Sequence, residues 1–338
     1  EHIAEDRLTP EEDAFLKAFF TREIRPLLFT VVVDKKHPVP FLKSGEIYIG
    51  AAIRKKTDPA GKITLGILPA SENLPRVIFL PKTGKFILCE ELISRYAKQV
   101  FSNFEIISRC IFRVTRNADI APDEGLFDHD MDFRDIMSKL VKKRKKLKPV
   151  RLEFQGSPDA EVAESIAKIL GVKGNFVFTQ NAPLNMDFLS ALERRLEKQS
   201  ELFFQQLTPQ RSPFIEADRS IIEQIKERDI LLNYPYENIN QFIRLLEEAA
   251  DNPRVMSIKI TLYRVARASK IINALIRAAE NGKDVLALVE LRARFDEENN
   301  IGWSKRLEEA GVIVIYGLEE LKVHSKLLLI TLREGDGV

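Results

Sequence analysis

The chain has 338 residues, of which 45% are hydrophobic and 30% charged. It contains 52 Lys and Arg and 50 Asp and Glu, which gives a formal net charge of +2. This length predicts about two domains, each large enough to bury its own core. So many apolar residues, with so few Gly and Pro, exclude disordered and collagen-like proteins. A net charge near zero means that any polyanion must be recognised by a local cluster of basic residues.

The sequence also indicates the compartment of the protein. No apolar run reaches the roughly 18 residues that a membrane span needs, and the acidic residues near position 1 do not resemble a signal peptide. The two cysteines, Cys89 and Cys110, lack the spacing of metal ligands and are interpreted as reduced thiols in a core. We therefore expect an intracellular protein.

Residues 1–208 mix strands and helices without a fixed alternation, which is typical of an α+β domain. Thr9, Pro10 and Glu12 form the start of a capped helix. A second helix is predicted over 160–170, with Gly171 at its carboxyl end, and a third, charged one over 191–204. Short apolar runs broken by Pro, Gly and Asp predict an antiparallel or mixed sheet, with strands at 27–33, 46–54, 63–68, 77–80 and 106–114.

Residues 209–338 alternate between strand and helix patterns. Predicted helices cover 238–250, 269–280 and 300–310, and predicted strands cover 255–264, 284–294, 312–316 and 322–332. This alternation predicts right-handed βαβ units and a mostly parallel sheet, that is, an α/β domain. Because 285–289 and 312–315 are almost continuously apolar, we expect helices on both faces of that sheet.

The last predicted strand carries Lys322, His324 and Lys326. Residues two apart share a face of a strand, so these three side chains are expected to point the same way. An imidazole can act as a nucleophile, and the two lysines would hold the oxygens of a phosphoryl group. The alternative is a histidine on a solvated face of a strand.

Two arginines, Arg264 and Arg294, lie at the carboxyl ends of predicted parallel strands. Ligands of α/β sheets bind at that edge, and two guanidinium groups there would clamp a phosphate. The alternative is a network of arginines and carboxylates at the rim of the sheet, since Asp296, Glu297 and Glu298 follow directly.

A strongly basic run lies in the first segment. It could contact a polyanion such as nucleic acid, polyphosphate or a membrane surface, or it could be a solvated helix end. It lacks the interleaved aromatic residues of proteins that bind single-stranded nucleic acid. The run consists of Lys142, Lys143, Arg144, Lys145, Lys146 and Lys148.

Several of these motifs together resemble a known family. Residues 229–236, 258–265, 281–282, 289–300 and 309–326 resemble the first catalytic domain of bacterial polyphosphate kinases of the phospholipase D-like type. Residues 1–208 resemble, more loosely, the head domain of that family. Arg264, Arg294 and His324 are evenly spaced along the chain, as in the family motifs. The implied architecture is an α+β head domain over 1–208 and the amino-terminal part of an α/β phospholipase D-like domain over 209–338.

This resemblance implies reversible transfer of the terminal phosphate of ATP to polyphosphate through a phosphohistidine. It implies that His324 is the nucleophile, that Lys326 positions the phosphate, and that Arg264 and Arg294 lie at a magnesium–phosphate site. A guanidinium has no lone pair to donate, so we expect both arginines to hold phosphate oxygens beside Mg²⁺ rather than the metal itself. The implied partners are ATP or ADP, polyphosphate and further copies of the chain, without nucleic acid, in the cytoplasm or at the inner face of the membrane.

Two departures from related patterns bear on this interpretation. Where phospholipase D enzymes carry Asp beyond the Lys of their HxK motif, this chain has Thr331, which favours the kinases. The segments expected to complete the active site lie outside residues 1–338, so we expect a fragment that does not turn over alone. The alternative functions are a phospholipase D-type phosphodiesterase, in which water resolves the phosphohistidine, and a non-catalytic module that binds polyanions through the basic run.

Overall fold

The computed structural model describes residues 1–3, 7–34, 37, 39–70, 73–118, 133–144, 146–266, 268–291, 293, 296–317 and 321–335. The described residues fall into two compact units. One is drawn from Glu1–Asp119 and Arg144–Phe204, the other from Ile120–Lys143 and Gln205–Val338. The second unit therefore includes a helix that precedes residue 208 in the chain. Neither unit contains, among these residues, a helix long and apolar enough to cross a bilayer.

The elements are numbered in chain order. The α-helices are α1 (Pro10–Phe19), α2 (Cys89–Arg95), α3 (Ala97–Val100), α4 (Phe133–Arg144), α5 (Ala160–Leu170), α6 (Leu189–Leu196), α7 (Ile221–Glu227), α8 (Asn240–Asp251), α9 (Lys270–Glu280) and α10 (Glu297–Glu309). The strands are β1 (Val31–Val33), β2 (Ile47–Lys55), β3 (Thr64–Ala70), β4 (Val77–Phe79), β5 (Phe86–Leu88), β6 (Phe104–Arg116), β7 (Pro149–Gln155), β8 (Val177–Gln180), β9 (Val255–Leu262), β10 (Asp284–Val289), β11 (Ile313–Tyr316) and β12 (Leu328–Leu332). A π-helical turn (Phe20–Ile24) and three 3₁₀ turns (Arg25–Leu27, Gly174–Phe176 and Ser200–Leu202) complete the set.

The first unit is built on a six-stranded mixed sheet in the order β1-β3-β2-β6-β7-β8, beside a separate β4–β5 pair. All neighbours in the large sheet are antiparallel except β7 and β8, which are parallel and joined through α5. The predicted mixed sheet is thus present, but β7 and β8 were not predicted. The charged helix predicted over 191–204 is instead α6, which begins at Leu189 and ends at Leu196.

Both faces of this sheet are buried. Leu16, Phe20 and Leu92 pack with Ile49 on one face, while Ile166 of α5 packs on the other. The helix cap predicted at Thr9 is present. The Thr9 hydroxyl accepts from the Glu12 amide at 3.2 Å, and the Glu12 carboxylate accepts from the Thr9 amide at 2.9 Å. Gly171 ends α5 in the left-handed conformation, with φ of 67°.

Both cysteines lie in the cores of the first unit and neither forms a disulfide. Burial raises the pKa of each thiol to about 12. The thiolate is the reactive form of cysteine. Cys89 and Cys110 therefore behave as the core thiols that the sequence predicts.

The second unit contains a four-stranded sheet in the order β11-β10-β9-β12. Strands β9, β10 and β11 are parallel, and α9 and α10 connect them in the predicted alternation. The last strand, β12, is antiparallel to β9. The strands are shorter than predicted, because β9 ends at Leu262, β10 ends at Val289 and β12 begins only at Leu328.

Only one face of this second sheet is covered within the described part of the chain. Val285, Ala287 and Val289 face α8, α9 and α10 in a buried core. On the opposite face, Ile313 is 59% exposed and Ile315 is 44% exposed. The prediction that helices cover both faces is therefore wrong for these residues. A near-continuous apolar pattern shows that both faces of a strand are apolar, but it does not show which elements pack against each face.

Candidate active site

The candidate site lies at the carboxyl ends of β9 and β10. Because β12 runs antiparallel to β9, with Leu328 opposite Ile260, the residues before β12 pass the carboxyl end of β9. We call residues 321–327 the His324 segment. Thr261 holds it with three hydrogen bonds: its amide donates to the Leu327 carbonyl at 3.0 Å, its hydroxyl donates to the Ser325 carbonyl at 2.5 Å, and that hydroxyl accepts from the Leu327 amide at 2.8 Å.

The His324 segment is not a strand, which corrects the geometry predicted for Lys322, His324 and Lys326. The sequence places them on one strand face, but the ladder with β9 ends at Leu328, and a side-chain hydroxyl takes the place of further strand pairing. Alternation along a strand therefore does not determine where these side chains point. The His324 side chain is nevertheless exposed, as a nucleophile must be.

The ring of Tyr263, just beyond β9, brings three predicted site residues together. The imidazole of His324 packs edge-to-face with it, with ring centroids 5.0 Å apart and planes at 77°. The Lys326 ammonium lies 4.8 Å from the ring centroid, and the Arg264 guanidinium carbon lies 5.8 Å from it. The Lys326 ammonium also donates to the backbone carbonyl of His324. One imidazole and two cations thus surround a single aromatic ring.

The Arg264 side chain is 54% exposed and forms an ion pair with Asp296, with Nε 3.0 Å from Oδ2. This pair is the alternative arrangement that the sequence left open, and an exposed pair of this kind contributes at most about 1 kcal/mol. The ion pair orients the guanidinium at the strand end but holds it only weakly. Arg294 lies outside the described residues, so the clamp of two arginines stays a prediction.

Two buried polar residues organise the backbone beneath the site. Glu290, 2% exposed at the end of β10, accepts from the Val323 amide at 2.8 Å. Asn300 of α10, 1% exposed, donates from Nδ2 to the carbonyls of Tyr263 at 2.6 Å and Glu290 at 2.8 Å. Asn300 therefore joins the ends of β9 and β10, and Glu290 joins β10 to the His324 segment.

Sequence reasoning assigned no role to Tyr263, Glu290 or Asn300. Tyr263 and Glu290 stand directly beside the ends of predicted strands, in the same stretches as the two arginines. That position was a usable signal, because side chains at strand ends face the ligand edge of the sheet. The role of Asn300 had no such signal, since its partners are distant in the chain.

Metal binding by protein side chains alone has no support in the described part of the chain. No group of three or more His, Cys, Asp or Glu residues there is placed to hold an ion. The nearby carboxylate of Asp296 is engaged by Arg264. Mg²⁺ commonly binds through one or two carboxylates together with waters and substrate phosphates. The site is therefore compatible with a metal that arrives on a phosphate.

The basic run lies at the end of α4 and just beyond it. Lys142, Lys143, Lys146 and Lys148 are exposed, while Lys145 and the side chain of Arg144 lie outside what the structure describes. A solvated helix end, one of the two alternatives, accounts for this exposure. Contact with a polyanion stays a prediction.

The fold and the site together define an α/β protein in which an exposed imidazole, an ammonium and a guanidinium meet at strand ends. These are the groups expected to hold a phosphoryl group, and comparison with known families agrees with that expectation. Residues 11–192 match the model of the polyphosphate kinase middle domain, and residues 220–338 match the model of the polyphosphate kinase C-terminal domain 1. The chain therefore belongs to the polyphosphate kinase family, which confirms the resemblance drawn from its motifs.

Individual relatives agree. The chain is 38% identical over 334 residues to a polyphosphate kinase of Bacillus anthracis, covering 97% of this chain and 47% of that protein. It is 39% identical over 341 residues to one of Halalkalibacterium halodurans, covering 98% and 47%. The crystal structure of polyphosphate kinase from Porphyromonas gingivalis matches all of this chain and 48% of its own, with a TM-score of 0.78 and 27% identity. The chain spans about half the length of the curated relatives that it matches.

Proposed function

We propose that this chain carries the phosphohistidine site of a kinase that moves the terminal phosphate of ATP reversibly to polyphosphate. The observation that carries the proposal is the meeting of His324, Lys326 and Arg264 around Tyr263 at the strand ends. We assign residues 1–208 to the head domain and residues 209–338 to the amino-terminal part of the first phospholipase D-like catalytic domain. Family membership and the names of the relatives support this assignment.

In the proposed reaction, a ring nitrogen of His324 attacks the γ-phosphorus of ATP. The bond from that phosphorus to the β–γ bridging oxygen breaks, and ADP leaves with the electron pair. A terminal oxygen of polyphosphate then attacks the phosphohistidine, and the nitrogen–phosphorus bond breaks to regenerate His324. The same steps in reverse make ATP from ADP and polyphosphate.

The cationic side chains have defined tasks in this scheme. Lys326 would hold the equatorial oxygens of the transferring group as a point charge. Arg264, and Arg294 as a second guanidinium, would grip phosphate oxygens in bidentate fashion. Both kinds of contact strengthen as charge develops in the transition state, so they lower the barrier instead of merely tightening the binding of ATP.

Mg²⁺ is the proposed cofactor, and it would neutralise the charge of the transferring phosphates. Arg264 and Lys326 would hold the phosphate oxygens that the metal leaves uncoordinated. No direct protein ligand follows from the described residues, and the metal would be held mainly by phosphate and water. The further proposed partners are ATP or ADP, polyphosphate, and other copies of the chain in a homo-oligomer.

The decisive experiment incubates the full-length protein with ATP labelled on its γ-phosphate. We expect an acid-labile, base-stable phosphoprotein that disappears in His324→Ala and persists in His37→Ala, an exposed histidine of the first unit paired with Asp34. Chased with polyphosphate, the label should enter polymer. Release as free phosphate would instead indicate a phosphodiesterase, and full labelling of His324→Ala would overturn the assignment of the nucleophile.

A further inference from the structure

The imidazole of His324 depends on an aromatic neighbour for its orientation. Among the described residues it makes no side-chain hydrogen bond, and its ring contact is the edge-to-face packing on Tyr263. The bonds from Thr261 and Glu290 fix the backbone of the His324 segment, and leave the rotation of the imidazole undetermined. A nucleophile that must meet phosphorus in line needs that rotation restricted.

We propose that Tyr263 is a positioning residue, whose ring orients His324 and retains Lys326 beside it before the phosphate arrives. This inference rests on the proposed phosphohistidine step. Aromatic pairs prefer tilted, edge-to-face geometry at these separations, and an ammonium is attracted to the face of a ring. The 77° packing of His324 and the 4.8 Å approach of the Lys326 ammonium are contacts of these two kinds.

Tyr263 is suited to this task because buried neighbours fix the position of its backbone. Its carbonyl accepts from Asn300, and the preceding residue, Leu262, is 6% exposed in the core of the second unit. The ring itself is half-buried. A rigid backbone thus presents a partly exposed ring, around which the more exposed side chains of His324, Lys326 and Arg264 collect.

The role belongs to the ring and not to the hydroxyl, which allows a sharp pair of variants. Tyr263→Phe keeps the ring, and Tyr263→Leu keeps apolar volume without aromatic character. In the full-length protein at saturating ATP, we expect Tyr263→Phe to form phosphohistidine within about twofold of the wild-type rate and Tyr263→Leu to be about tenfold slower. KM for ATP should change less than the rate, because the lost interaction orients the nucleophile and does not bind nucleotide.

An independent measurement on this chain reports the geometry without activity. The ring current of an aromatic side chain shifts the proton signals of an imidazole packed against it. We expect the NMR signals of the His324 ring, identified by their loss in His324→Gln, to keep their shift in Tyr263→Phe and to lose it in Tyr263→Leu. Urea unfolding followed by Trp303 fluorescence shows whether each variant is folded, and Tyr263→Met replaces the leucine variant if that does not fold.

The possible failures are distinguishable. Wild-type protein that forms no phosphohistidine would overturn the proposed function and this inference with it. Wild-type protein that labels while Tyr263→Leu or Tyr263→Met labels equally fast would overturn the inference alone. Equal loss in Tyr263→Phe and Tyr263→Leu would also overturn it, since the hydroxyl would then carry the effect.

Discussion

Asn300 shows how one buried side chain can support a site that it does not enter. Its two hydrogen bonds satisfy the carbonyls of Tyr263 and Glu290, which follow β9 and β10 in the chain. Its Oδ1 has no hydrogen-bond partner among the described atoms. An unpaired buried oxygen costs free energy, and the two hydrogen bonds that the same amide donates offset this cost. The geometry of the site therefore depends on α10, whose contacts with the two strand ends the motifs did not predict.

We predict that Asn300→Ala lowers the free energy of unfolding of the second unit by about 2 kcal/mol, because two carbonyls lose a buried donor. The neighbouring Asn299 donates a single bond to the Val265 carbonyl and is less buried. Asn299→Ala should therefore cost under about 1 kcal/mol. Urea unfolding followed by the fluorescence of Trp303, the single tryptophan of the chain, measures both variants. Equal costs would contradict the bridging role of Asn300.

Glu153 of β7 gives a residue-level prediction about pH. It is 3% exposed and pairs with Arg113 at 2.8 Å and Arg151 at 3.1 Å. Burial raises the pKa of this carboxyl, but the hydrogen bonds and charges of Arg113 and then Arg151 outweigh burial and hold the pKa below its usual range. A lowered pKa contributes stability above the unfolded value of about 4.3, and that contribution is lost as pH falls through the folded value.

Glu153→Gln should accordingly destabilise the first unit by about 2 kcal/mol at pH 7, where it removes a buried ion pair but keeps the shape of the side chain. The difference between wild type and variant should shrink as the pH falls below about 4. Calorimetric unfolding across this pH range measures it. Glu105→Gln is the control, since Glu105 is 60% exposed and lies 3.9 Å from Arg54. A wild-type advantage that persists unchanged at low pH would refute the explanation.

At the scale of elements, the second sheet has one buried and one open face within the described residues. Ile313, Leu286, Lys259 and Leu329 lie opposite one another across the four strands, on the face that helices leave uncovered. The buried face, by contrast, packs on α8, α9 and α10. The two faces should therefore respond differently to the same substitution.

Ile315 and Val289 provide the matched pair, at 44% and 2% exposure. Threonine keeps the β-branched shape that strands favour at both positions, so the main difference between the two variants is how buried the position is. We expect Ile315→Thr to change the free energy of unfolding by less than about 0.5 kcal/mol. Val289→Thr should lower it by about 2 kcal/mol, because it buries a hydroxyl. Urea unfolding of each variant decides, and similar costs would mean that the open face is covered in solution.

For the molecule as a whole, near-neutral net charge makes local charge the relevant quantity in the proposed binding of polyphosphate. The exposed lysines of the basic run are the strongest such cluster in the sequence, and they lie apart from the His324 segment along the chain. If they contact the polymer, its affinity should depend on salt through counterion release.

We predict that replacing Lys142, Lys143 and Lys146 by Gln weakens polyphosphate binding and reduces the slope of log affinity against log salt by about 2. Replacing Lys55, Lys62 and Lys82, also exposed but scattered through the first unit, makes the same change in net charge and should leave the slope nearly unchanged. Fluorescence anisotropy with labelled polyphosphate across a salt series measures both. Equal effects of the two sets would show that only overall charge matters.

Much of the architecture could be read from sequence because it rests on local interactions. The capping box at Thr9 and the glycine at Gly171 involve residues within one helical turn, and both signals placed their helix ends correctly. The alternation of strand and helix after residue 250 likewise follows from apolar periodicity along short segments. Family membership and the positions of Arg264 and His324 near strand ends came from motifs of the same local kind.

The tertiary structure alone decided the form of the site. The His324 segment leaves the strand geometry because β9 ends and Thr261 supplies the next bonds. Asn300 meets Tyr263 at a sequence separation of 37 residues, and Glu290 meets Val323 at a separation of 33. The sequence pattern likewise did not show that one face of the second sheet is uncovered within the described residues. Hydrophobic pattern and capping are properties of neighbours in the chain, whereas these contacts join residues that only the packing of separate strands and helices brings together.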